Sequence, residues 1–574
     1  MATVGLSGDG SRTEPRGGAA KATTYINAKV FTGRGEDDFA RAFTVADGRF
    51  TWVGDRPAGG EGDVGEGDVG RGDVGRGDVG RGDVVDLAGA TVLPGLLDVH
   101  THPSLIAMTL GAVACTPPRV RSIEQMVEAL AASDAHGRGP DVWIEGWGYD
   151  EAMLAEGRTP TAQDLDRVSR TQPVHVLRSD CHSGVCNTRA LELAGITAAT
   201  PDPHGGSFGR LPDGRPDGVL TEHGANDVVM RAKARSDLAG EVARVARCGR
   251  HFAERGIVAA TEMMAGLSPF DSLEVFRAAQ EHGLAQQVHL YYEWTQLREH
   301  GAPDLGESQR TGRVRVAGVK VFMDGSVSNR TAWVSEAYPG TSSHGMRTLD
   351  DAELHAATDY ARRNHVQLAV HVMGDQAIAH VIDVLGDEVP WLVGRPSVRL
   401  EHATLLTPAL IDGMNAARMH FGVASQIIFF HAEQSSYARS LSPAQYARAY
   451  ATRTAYESLP DFALSSDRPA TTWDDPDDMF VSIRAAVTRR AHNGAEIVAD
   501  QAITVPQAVL LYTGRARGLV DFTGVGTIEV GNEASFVVLD RDVFTIDPEQ
   551  IDRVRIARCY LAGQLLATAP DDGP

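Results

Sequence analysis

The sequence predicts an α/β protein, in which a (β/α)8 TIM-type barrel is accompanied by a small β-sandwich domain built from both termini. Three patterns lead to this prediction. Short apolar runs alternate with helix-period stretches in the middle of the chain, β-like runs occur at both ends, and histidines and other polar residues end several apolar runs. Strands that alternate with helices favour a parallel sheet, and a closed barrel is the commonest single-core solution for about 400 residues.

Both ends of the chain carry short alternating runs that close at Gly or Asp-Gly turns, a pattern typical of strands. Near the amino end these runs are TTYINAKVFTG, AFTVADGRFTWVGD and VVDLAGATVLPG, and near the carboxyl end they are GTIEVGNEASFVVLDRD and VRIARCYLAGQLLA. We therefore expect residues 24–98 and 514–574 to form one composite β-sandwich domain.

Two glycine-rich segments show neither the strand-like runs of the chain ends nor the strand–helix alternation of the middle. Residues 1–23 are rich in Gly, Ser, Thr and charge and predict a disordered tail. Residues 58–86 repeat Gly-Asp-Val-Gly followed by Arg or Glu. Aspartates at a fixed spacing could indicate a calcium-binding solenoid, but the units are short and each offers one valine to a core. A solvated loop between two strands is the preferred interpretation.

Residues 99–513 are predicted to form the barrel. Strand-like runs such as GIVAATEMM, VRVAGVKVFMDGS, VQLAVHVMGD and VRLEHATLL alternate there with helical stretches such as AGEVARVARCGRHFAERG and DDAELHAATDYARRNH. These strand-like runs number more than eight, so we expect some of them to belong to a lid inserted at about residues 104–250. Barrel enzymes carry their chemistry at the carboxyl ends of the strands.

Composition argues against some classes of partner. The 574 residues carry a formal net charge of −22, which argues against nucleic acid and anionic membranes, because both require a cationic surface. No run reaches the ~20 apolar residues of a membrane span, no signal-peptide pattern begins the chain, and the five cysteines form no disulfide framework. These features predict a cytoplasmic protein with a small-molecule substrate. A homodimer is the expected assembly, because large cytoplasmic enzymes often form one.

Histidine, lysine and aspartate end the apolar runs of the predicted barrel. The stretch TVLPGLLDVHTHP places His100 and His102 two residues apart at the end of a strand, so both side chains point to the same side. The other residues at strand ends are Lys320, His371, His402 and Asp467. Four imidazoles, a lysine and a carboxylate at one end of a barrel predict a site for one or two divalent metal ions.

These stretches resemble the motifs of the metal-dependent amidohydrolase superfamily. The resemblance is carried by PGLLDVHTHP, GVKVFMDGS, HVMGDQAI, RLEHA and SSDRP, and by RSDCHSGVCNTRAL, GRLPDGRPDGVLTE and DGSVSNRTAWVSEAYPG. More narrowly, the sequence is similar to the branch that contains N-substituted formamide deformylase and the YtcJ-like hydrolases (amidohydrolase family 3). The similarity extends from about Thr24 to Thr568, apart from the glycine-rich repeat. Ala534-Ser535 replaces the Ala-Asp that the family usually carries.

The resemblance implies a role for each histidine and for the lysine. His100 and His102 correspond to ligands of the more buried of two metals, and His371 and His402 correspond to ligands of the more exposed metal. Lys320 corresponds to a lysine that carbon dioxide carboxylates. An unmodified lysine is cationic and a poor ligand, whereas its carbamate supplies an anionic bridge between the two metals.

Asp467 corresponds to the family's last-strand carboxylate, which binds metal, accepts the proton of the attacking water and returns it to the leaving nitrogen. Zinc suits the predicted ligands, with iron, manganese and cobalt as alternatives. The implied activity is hydrolysis of a non-peptide carbon–nitrogen bond in an amide or N-substituted formamide. Three alternatives stay open: a deaminase or cyclic-amide hydrolase on the same scaffold, a non-hydrolytic decarboxylase or isomerase, and a catalytically silent regulatory barrel.

Residues that contact the substrate are harder to predict than the metal ligands. Arg178 and His182, in the motif RSDCHSGVCNTRAL, are candidates for binding a substrate carbonyl or carboxylate, with structural contacts as the alternative. Asp324 lies four residues after Lys320, where it could orient the carboxylated lysine or cap the following loop. Loops decide the substrate on this scaffold, so the substrate's identity is not predicted.

Overall fold

The computed structural model describes residues 22–55, 83–179, 183–203, 205–233 and 237–568. Most of the predicted tail (1–23) and of the predicted repeat loop (58–86) therefore lies outside the described residues. Thr23 already begins a strand, and Asp83–Asp86 form a strand rather than the end of the loop. The strands of the amino-terminal region are β1 (Thr23–Ile26), β2 (Lys29–Phe31), β3 (Phe39–Ala40), β4 (Ala42–Ala46), β5 (Arg49–Gly54), β6 (Asp83–Asp86) and β7 (Thr91–Pro94).

The chain leaves the barrel after one strand and forms a separate sheet, in the region where the sequence predicts an inserted lid. The elements here are β8 (Leu96–Asp98), α1 (Pro103–Thr109), β9 (Val113–Ala114), α2 (Ile123–Ala131), β10 (Ile144–Tyr149), α3 (Ala162–Leu165), β11 (Val174–Arg178), β12 (Gly184–Cys186), α4 (Thr188–Leu193), β13 (Ser207–Arg210), β14 (Pro216–Thr221) and α5 (Glu222–Ala232). Strands β9 to β14 form this lid sheet, in the order β13-β14-β12-β11-β10-β9. Val174 and Val176 of β11 belong to the same buried cluster as Ile144 and Leu130.

The barrel resumes at a long helix. Its elements are α6 (Leu238–Glu254), β15 (Ile257–Ala265), α7 (Ser272–Gln280), β16 (Gln287–Glu293), α8 (Trp294–Glu299), β17 (Val314–Phe322), α9 (Asp351–Arg363), β18 (Gln367–Val372), α10 (Asp375–Leu385), β19 (Val398–His402), α11 (Pro408–Ala416), β20 (Phe421–Ser425), α12 (Ile427–Ala432), α13 (Gln434–Ser440), α14 (Pro443–Tyr446), α15 (Thr452–Ser458) and β21 (Phe462–Leu464). Asp237 and Asp350 cap the starts of helices α6 and α9, and their carboxylates accept hydrogen bonds from the first-turn N–H groups of Gly240 and Glu353.

The last elements return the chain to the amino-terminal strands. They are α16 (Met479–Thr488), α17 (Val505–Leu510), α18 (Gly514–Leu519), β22 (Phe536–Leu539), β23 (Ile556–Leu561) and β24 (Gln564–Thr568). Short 3-10 turns occur at Glu151–Met153, Glu307–Gln309, Ala499–Gln501 and Pro548–Arg553. Within the described ranges, none of the helices combines the length and the apolar content that crossing a bilayer requires.

Eight strands of the described chain form one parallel sheet that closes almost completely into a barrel. Their order is β8, β15, β16, β17, β18, β19, β20 and β21. The two edge strands meet just beyond their carboxyl ends. There the Ser466 hydroxyl donates to Asp98 at 2.5 Å, and the Asp467 N–H donates to the His100 carbonyl at 2.8 Å. This nearly closed parallel sheet confirms the predicted α/β class and barrel.

The barrel strands are apolar on both faces, because one face packs inside the barrel and the other packs under the helices. Strand β20 (Phe421–Ser425), for example, is buried at every position. Polar side chains inside such strands are therefore informative, since burial of a charge is costly unless the charge is paired. Lys320, Arg399 and Glu401 are buried inside the barrel strands, with exposures of 1% or less.

Strands from the two ends of the chain lie in two further sheets. Their orders are β5-β4-β1-β6 and β24-β23-β22-β7-β2-β3, so β22 from the carboxyl end pairs with β7 from the amino end. Their side chains share one cluster, in which Tyr25 stacks on Phe43 at 4.9 Å and Phe536 stacks on Tyr560 at 4.4 Å. That these strands make a separate β-sandwich domain with the bounds 24–98 and 514–574 stays a prediction.

Candidate metal centre

The end of β8 and the loop after β21 bring three ligand-type side chains together. His102 Nε2 lies 2.8 Å and His100 Nε2 lies 3.4 Å from Asp467 Oδ1. Each of the three residues offers a donor atom within 4.8 Å of the others, and all three are buried. Asp467 has a left-handed backbone conformation (φ 54°), which a non-glycine residue adopts at some energetic cost. Such conformations concentrate at functional sites.

His371 on β18 and His402 at the end of β19 complete a ring of imidazoles. Their ring centres are 4.5 Å apart, and the His402 ring is 4.8 Å from that of His100. His402 Nδ1 lies 3.6 Å from Asp467 Oδ2, so Asp467 is close to His402 as well as to His100 and His102. His402 is also left-handed (φ 69°). Four imidazoles and one carboxylate therefore converge at the carboxyl end of the barrel.

Lys320 on β17 is buried beside this ring. Burial lowers the pKa of its amine to about 8, although the carboxylates of Glu401 and Asp467 oppose that change. Its charge acts in turn on the imidazoles: burial and Lys320 together lower the pKa of His371 to about 3 and that of His100 well below its usual value. These two imidazoles are therefore neutral at ordinary pH, and neutral imidazole is the form that binds a metal.

His102 differs from the other imidazoles. Although burial opposes its protonation, the carboxylates of Asp467 and Glu262 raise its pKa to about 9. Glu262 Oε1 lies 3.8 Å from His102 Nδ1, too far for a hydrogen bond, and this buried nitrogen has no hydrogen-bond partner among the described residues. A cation among these groups would take the place of the proton that the two carboxylates attract.

Glu401 and Glu262 contact the imidazoles, and the sequence reasoning missed both. Glu401 Oε2 lies 2.5 Å from His100 Nδ1, and its other oxygen lies 2.9 Å from the Arg399 guanidinium. Glu262 accepts N–H donors from Ser104 at 2.7 Å and Met264 at 3.0 Å, which fix it beside His102. Both glutamates end apolar runs, in RLEHA and GIVAATEMM, so the rule that selected the histidines could have found them.

The outer nitrogens of the other imidazoles are fixed by neutral acceptors. His402 Nδ1 donates to Gln426 Oε1 at 2.8 Å, since the Gln426 amide nitrogen donates to Ser465 at 2.9 Å. His371 Nε2 donates to the Gly325 carbonyl at 3.0 Å. Because a carbonyl can only accept, these bonds fix which nitrogen carries the hydrogen and leave the other one with a lone pair. Partners of this kind orient metal-binding histidines in proteins.

The three predicted substrate contacts have different surroundings. Arg178 lies in β11 of the lid sheet, where its Nε and Nη2 each donate to Glu151 at 3.0 Å. His182 lies outside the described residues. Asp324 is buried near the metal ligands, with Oδ1 at 3.7 Å from His371 Nε2.

The Asp324 carboxylate accepts three backbone N–H bonds, from Trp333 at 2.9 Å, Met373 at 3.0 Å and Gly374 at 2.8 Å. Burial raises its pKa to about 7. These bonds connect the loop after β17 to the turn that follows β18. A contact between Asp324 and substrate stays a prediction.

Comparison with known proteins places the chain in a family. The family model described as Amidohydrolase family matches residues 83–567, so the chain belongs to the amidohydrolase family. The N-substituted formamide deformylase of Arthrobacter pascens is 26% identical over 94% of this chain and 97% of its own length. The putative amidohydrolase YtcJ of Bacillus subtilis (strain 168) is 28% identical over 84% of this chain and 90% of its own length. These findings confirm the resemblance seen in the motifs, and the protein is an amidohydrolase-type enzyme.

A solved structure supports the fold. An uncharacterized metal-dependent hydrolase from Pyrococcus horikoshii OT3 superposes with a TM-score of 0.69 at 22% identity, covering 92% of this chain and 99% of that chain. At this identity the likeness concerns the arrangement of the backbone. The superposition therefore supports the barrel fold, which in this chain carries the buried imidazoles at its carboxyl end.

Proposed function

We propose that this enzyme hydrolyses the carbon–nitrogen bond of a small amide or N-substituted formamide and uses two divalent metal ions. The observation that carries the proposal is the convergence of His100, His102, His371, His402 and Asp467 beside the buried Lys320. The relative from Arthrobacter pascens, whose name specifies N-substituted formamides, supports that substrate class.

The donor set fits divalent ions. Neutral imidazoles and carboxylates are the ligands that zinc prefers, with iron, manganese and cobalt as alternatives. The ligand-type atoms of His100, His102 and Asp467 lie within 4.8 Å of one another, close enough to share one ion. The residues that would hold the two ions are His100, His102, Lys320, His371, His402 and Asp467.

Lys320 fits this set once it is carboxylated. An ammonium group is a cation and repels metal ions, whereas a carbamate supplies two anionic oxygens. In the reaction the neutral amine nitrogen bonds to the carbon of carbon dioxide and loses a proton. Burial, which lowers the pKa of the Lys320 amine to about 8, increases the neutral fraction that can react.

When bound, the ions would supply two kinds of chemistry: they would polarise a substrate carbonyl and lower the pKa of water. Asp467 supplies the proton transfers. Its carboxylate accepts the proton of the attacking water and passes it to the leaving nitrogen, which departs as a neutral amine. The position of Asp467 suits this role, because its backbone N–H donates to the His100 carbonyl at 2.8 Å and holds the carboxylate beside the imidazoles.

Metal content per chain, measured by elemental analysis on protein purified without chelators, tests the two-metal proposal. About two ions per chain are expected, and Lys320→Ala should lose at least one of them, with partial recovery of activity on addition of a short carboxylic acid. Lys29→Ala is the matched control, because Lys29 pairs with Asp542 far from the barrel mouth. Unchanged metal content in Lys320→Ala would show that the bridging role is wrong.

The substrate class is tested by hydrolysis assays of the metal-loaded enzyme on N-substituted formamides, N-acyl amines and cyclic amides. Release of formate and amine from a formamide is the expected result. Turnover of cyclic amides alone, or about one ion per chain, would favour the cyclic-amide hydrolase or deaminase alternative.

A further inference from the structure

A cavity lies at the amino end of the barrel, opposite the proposed metal ligands. Its volume is about 360 Å³, within the range of small-molecule sites. The starts of β17 and β18, the segment before β19 and the segment after α18 contribute its walls. The charged and polar lining residues that matter here are Arg310, Arg315, His365, Gln367, Arg395 and Asp521.

Guanidinium groups outnumber the carboxylates that pair with them in this cavity. Arg315 Nη2 lies 3.0 Å from Asp521 Oδ2, and Arg395 forms an ion pair with the same oxygen. Arg310 donates to the backbone carbonyl of Asn364 at 3.3 Å. Asp521 therefore shares its charge between two cations, while Glu307 at the rim is the other carboxylate of the lining. This excess of cations occurs in a chain whose formal net charge is −22.

Two guanidinium N–H groups of the cavity-lining residues have no acceptor among the described residues. The Nε–H groups of Arg310 and Arg395 are buried and have no hydrogen-bond partner among the described residues. The guanidinium groups of Arg310 and Arg395 therefore have hydrogen-bonding capacity that the described residues leave unused.

We propose that this cavity binds a phosphate group, either as free phosphate or as part of a small phosphate ester. Guanidinium groups match the oxygens of a phosphate in two-pronged hydrogen bonds, and this geometry favours arginine at phosphate sites. A bound phosphate would neutralise the excess charge of Arg310, Arg315 and Arg395 and accept hydrogen bonds from their guanidinium groups. The site lies at the opposite end of the barrel from the metal ligands, so this proposal does not depend on the proposed function.

Calorimetric titration of the full-length, metal-loaded enzyme with inorganic phosphate, at an ionic strength held constant with sodium chloride, tests this proposal. One saturable phosphate per chain is expected. Arg310→Gln and Arg395→Gln should each weaken binding at least about tenfold, because each removes a charge-assisted hydrogen bond. Arg363→Gln is the matched control, since Arg363 pairs with Asp304 on the surface and does not line the cavity.

Phosphate could also bind at the metal centre, and His402→Ala separates the two sites. Phosphate binding that persists in His402→Ala but weakens in both arginine variants supports the cavity. Absence of saturable binding, or binding that is lost in His402→Ala and unchanged in Arg310→Gln and Arg395→Gln, would overturn the proposal. Circular dichroism of each variant verifies that it is folded.

A second titration, with glycerol 3-phosphate, distinguishes the two sources of the phosphate group. Tighter binding of the ester would assign the cavity to a phosphate ester, and equal or weaker binding would assign it to free phosphate. Either result supports the site when Arg310→Gln weakens the binding of the probe.

Discussion

A buried ion pair near the barrel mouth also contacts one of the clustered histidines. Glu401 and Arg399 are both fully buried and lie 2.9 Å apart, and Glu401 also contacts His100. A buried ion pair of this kind is weak evidence for stability, because the desolvation of both groups offsets their attraction. Its contact with His100 indicates that the pair positions a predicted metal ligand.

Asp467→Asn is expected to reduce kcat at least about a hundredfold, because an amide cannot accept the proton of the attacking water. An oxygen ligand remains, so metal content should stay close to that of the wild type. Steady-state kinetics and elemental analysis measure both quantities. Asp461→Asn is the matched control, since Asp461 pairs with His420 at the start of the strands. Near-normal activity in Asp467→Asn would refute the assigned proton-transfer role.

Glu401→Gln is expected to lower the free energy of unfolding by about 3 kcal/mol, because it leaves the buried Arg399 without its charged partner. Metal affinity should fall about tenfold or more, since His100 loses the carboxylate that orients it. Urea denaturation and metal titration measure these effects. Glu254→Gln, which removes a surface pair with Arg250, should change stability by less than about 1 kcal/mol. Equal effects of the two substitutions would contradict this account.

At the scale of elements, a buried asparagine joins the first turn of α4 to β11 in the lid sheet. Asn187 Oδ1 accepts N–H donors from Val174 at 3.0 Å and Ala190 at 2.9 Å, and its Nδ2 donates to two backbone carbonyls at 2.7 and 2.9 Å. The side chain is therefore saturated with hydrogen bonds and fully buried. Its contacts all lie within the lid region, so its removal should affect that region first.

Asn187→Ala is expected to lower the free energy of unfolding by at least about 2 kcal/mol, because buried backbone groups lose their partners. The amide of Val174 should then exchange its hydrogen faster. Urea denaturation and hydrogen exchange test this expectation. Asn415→Ala, on an exposed position of α11, should leave both quantities nearly unchanged. Unaltered exchange at Val174 would mean that the asparagine does not stabilise the sheet.

A second contact between elements is sensitive to pH. His420 precedes β20 and lies 2.7 Å from Asp461, which precedes β21. The hydrogen bond to Asp461 raises the pKa of His420 above its usual 6.5. A raised pKa means that the pair stabilises the folded state fully below pH 6.5 and that this stabilisation is lost as the pH rises through the raised value.

His420→Gln should therefore destabilise the protein more at about pH 6 than at about pH 9. Urea denaturation of wild type and variant at both pH values measures the difference. The effect should be small, because the His420 side chain is 37% exposed. Asp461→Asn is expected to remove the same pH-dependent component. A difference that grows with pH would have the wrong sign for this pair.

At the scale of the whole molecule, the proposed metal ligands come from five of the eight barrel strands or from the residues directly after them, so bound ions would cross-link the barrel. Chelation is expected to lower Tm by about 5 °C or more, since a ligand that binds the folded state alone stabilises it by several kcal/mol. Differential scanning calorimetry before and after chelation, and after zinc is restored, measures this change. Lys320→Ala should show a smaller shift. An unchanged Tm after complete removal of metal would contradict the cross-linking.

Much of the site follows from local sequence, and for a physical reason. In a parallel barrel the ligands lie at the ends of apolar runs, and side chains two residues apart in a strand point to the same side. His100 and His102 can therefore be selected from the printed sequence, and so can Lys320, His371 and His402. The alternation of strands and helices likewise predicts the barrel, because each strand needs a helix to cover its outer face.

The tertiary structure alone decided which partners orient these ligands. His100 and Glu401 are 301 residues apart, and no local pattern specifies that they meet. The antiparallel pairing of β12 and β14 in the lid sheet is likewise specified by no local pattern. The basic cavity also depends on tertiary contacts, which bring Arg395, before β19, to Asp521, after α18. Sequence determines which side chains a strand offers, whereas closure of the sheet determines which of those side chains come into contact.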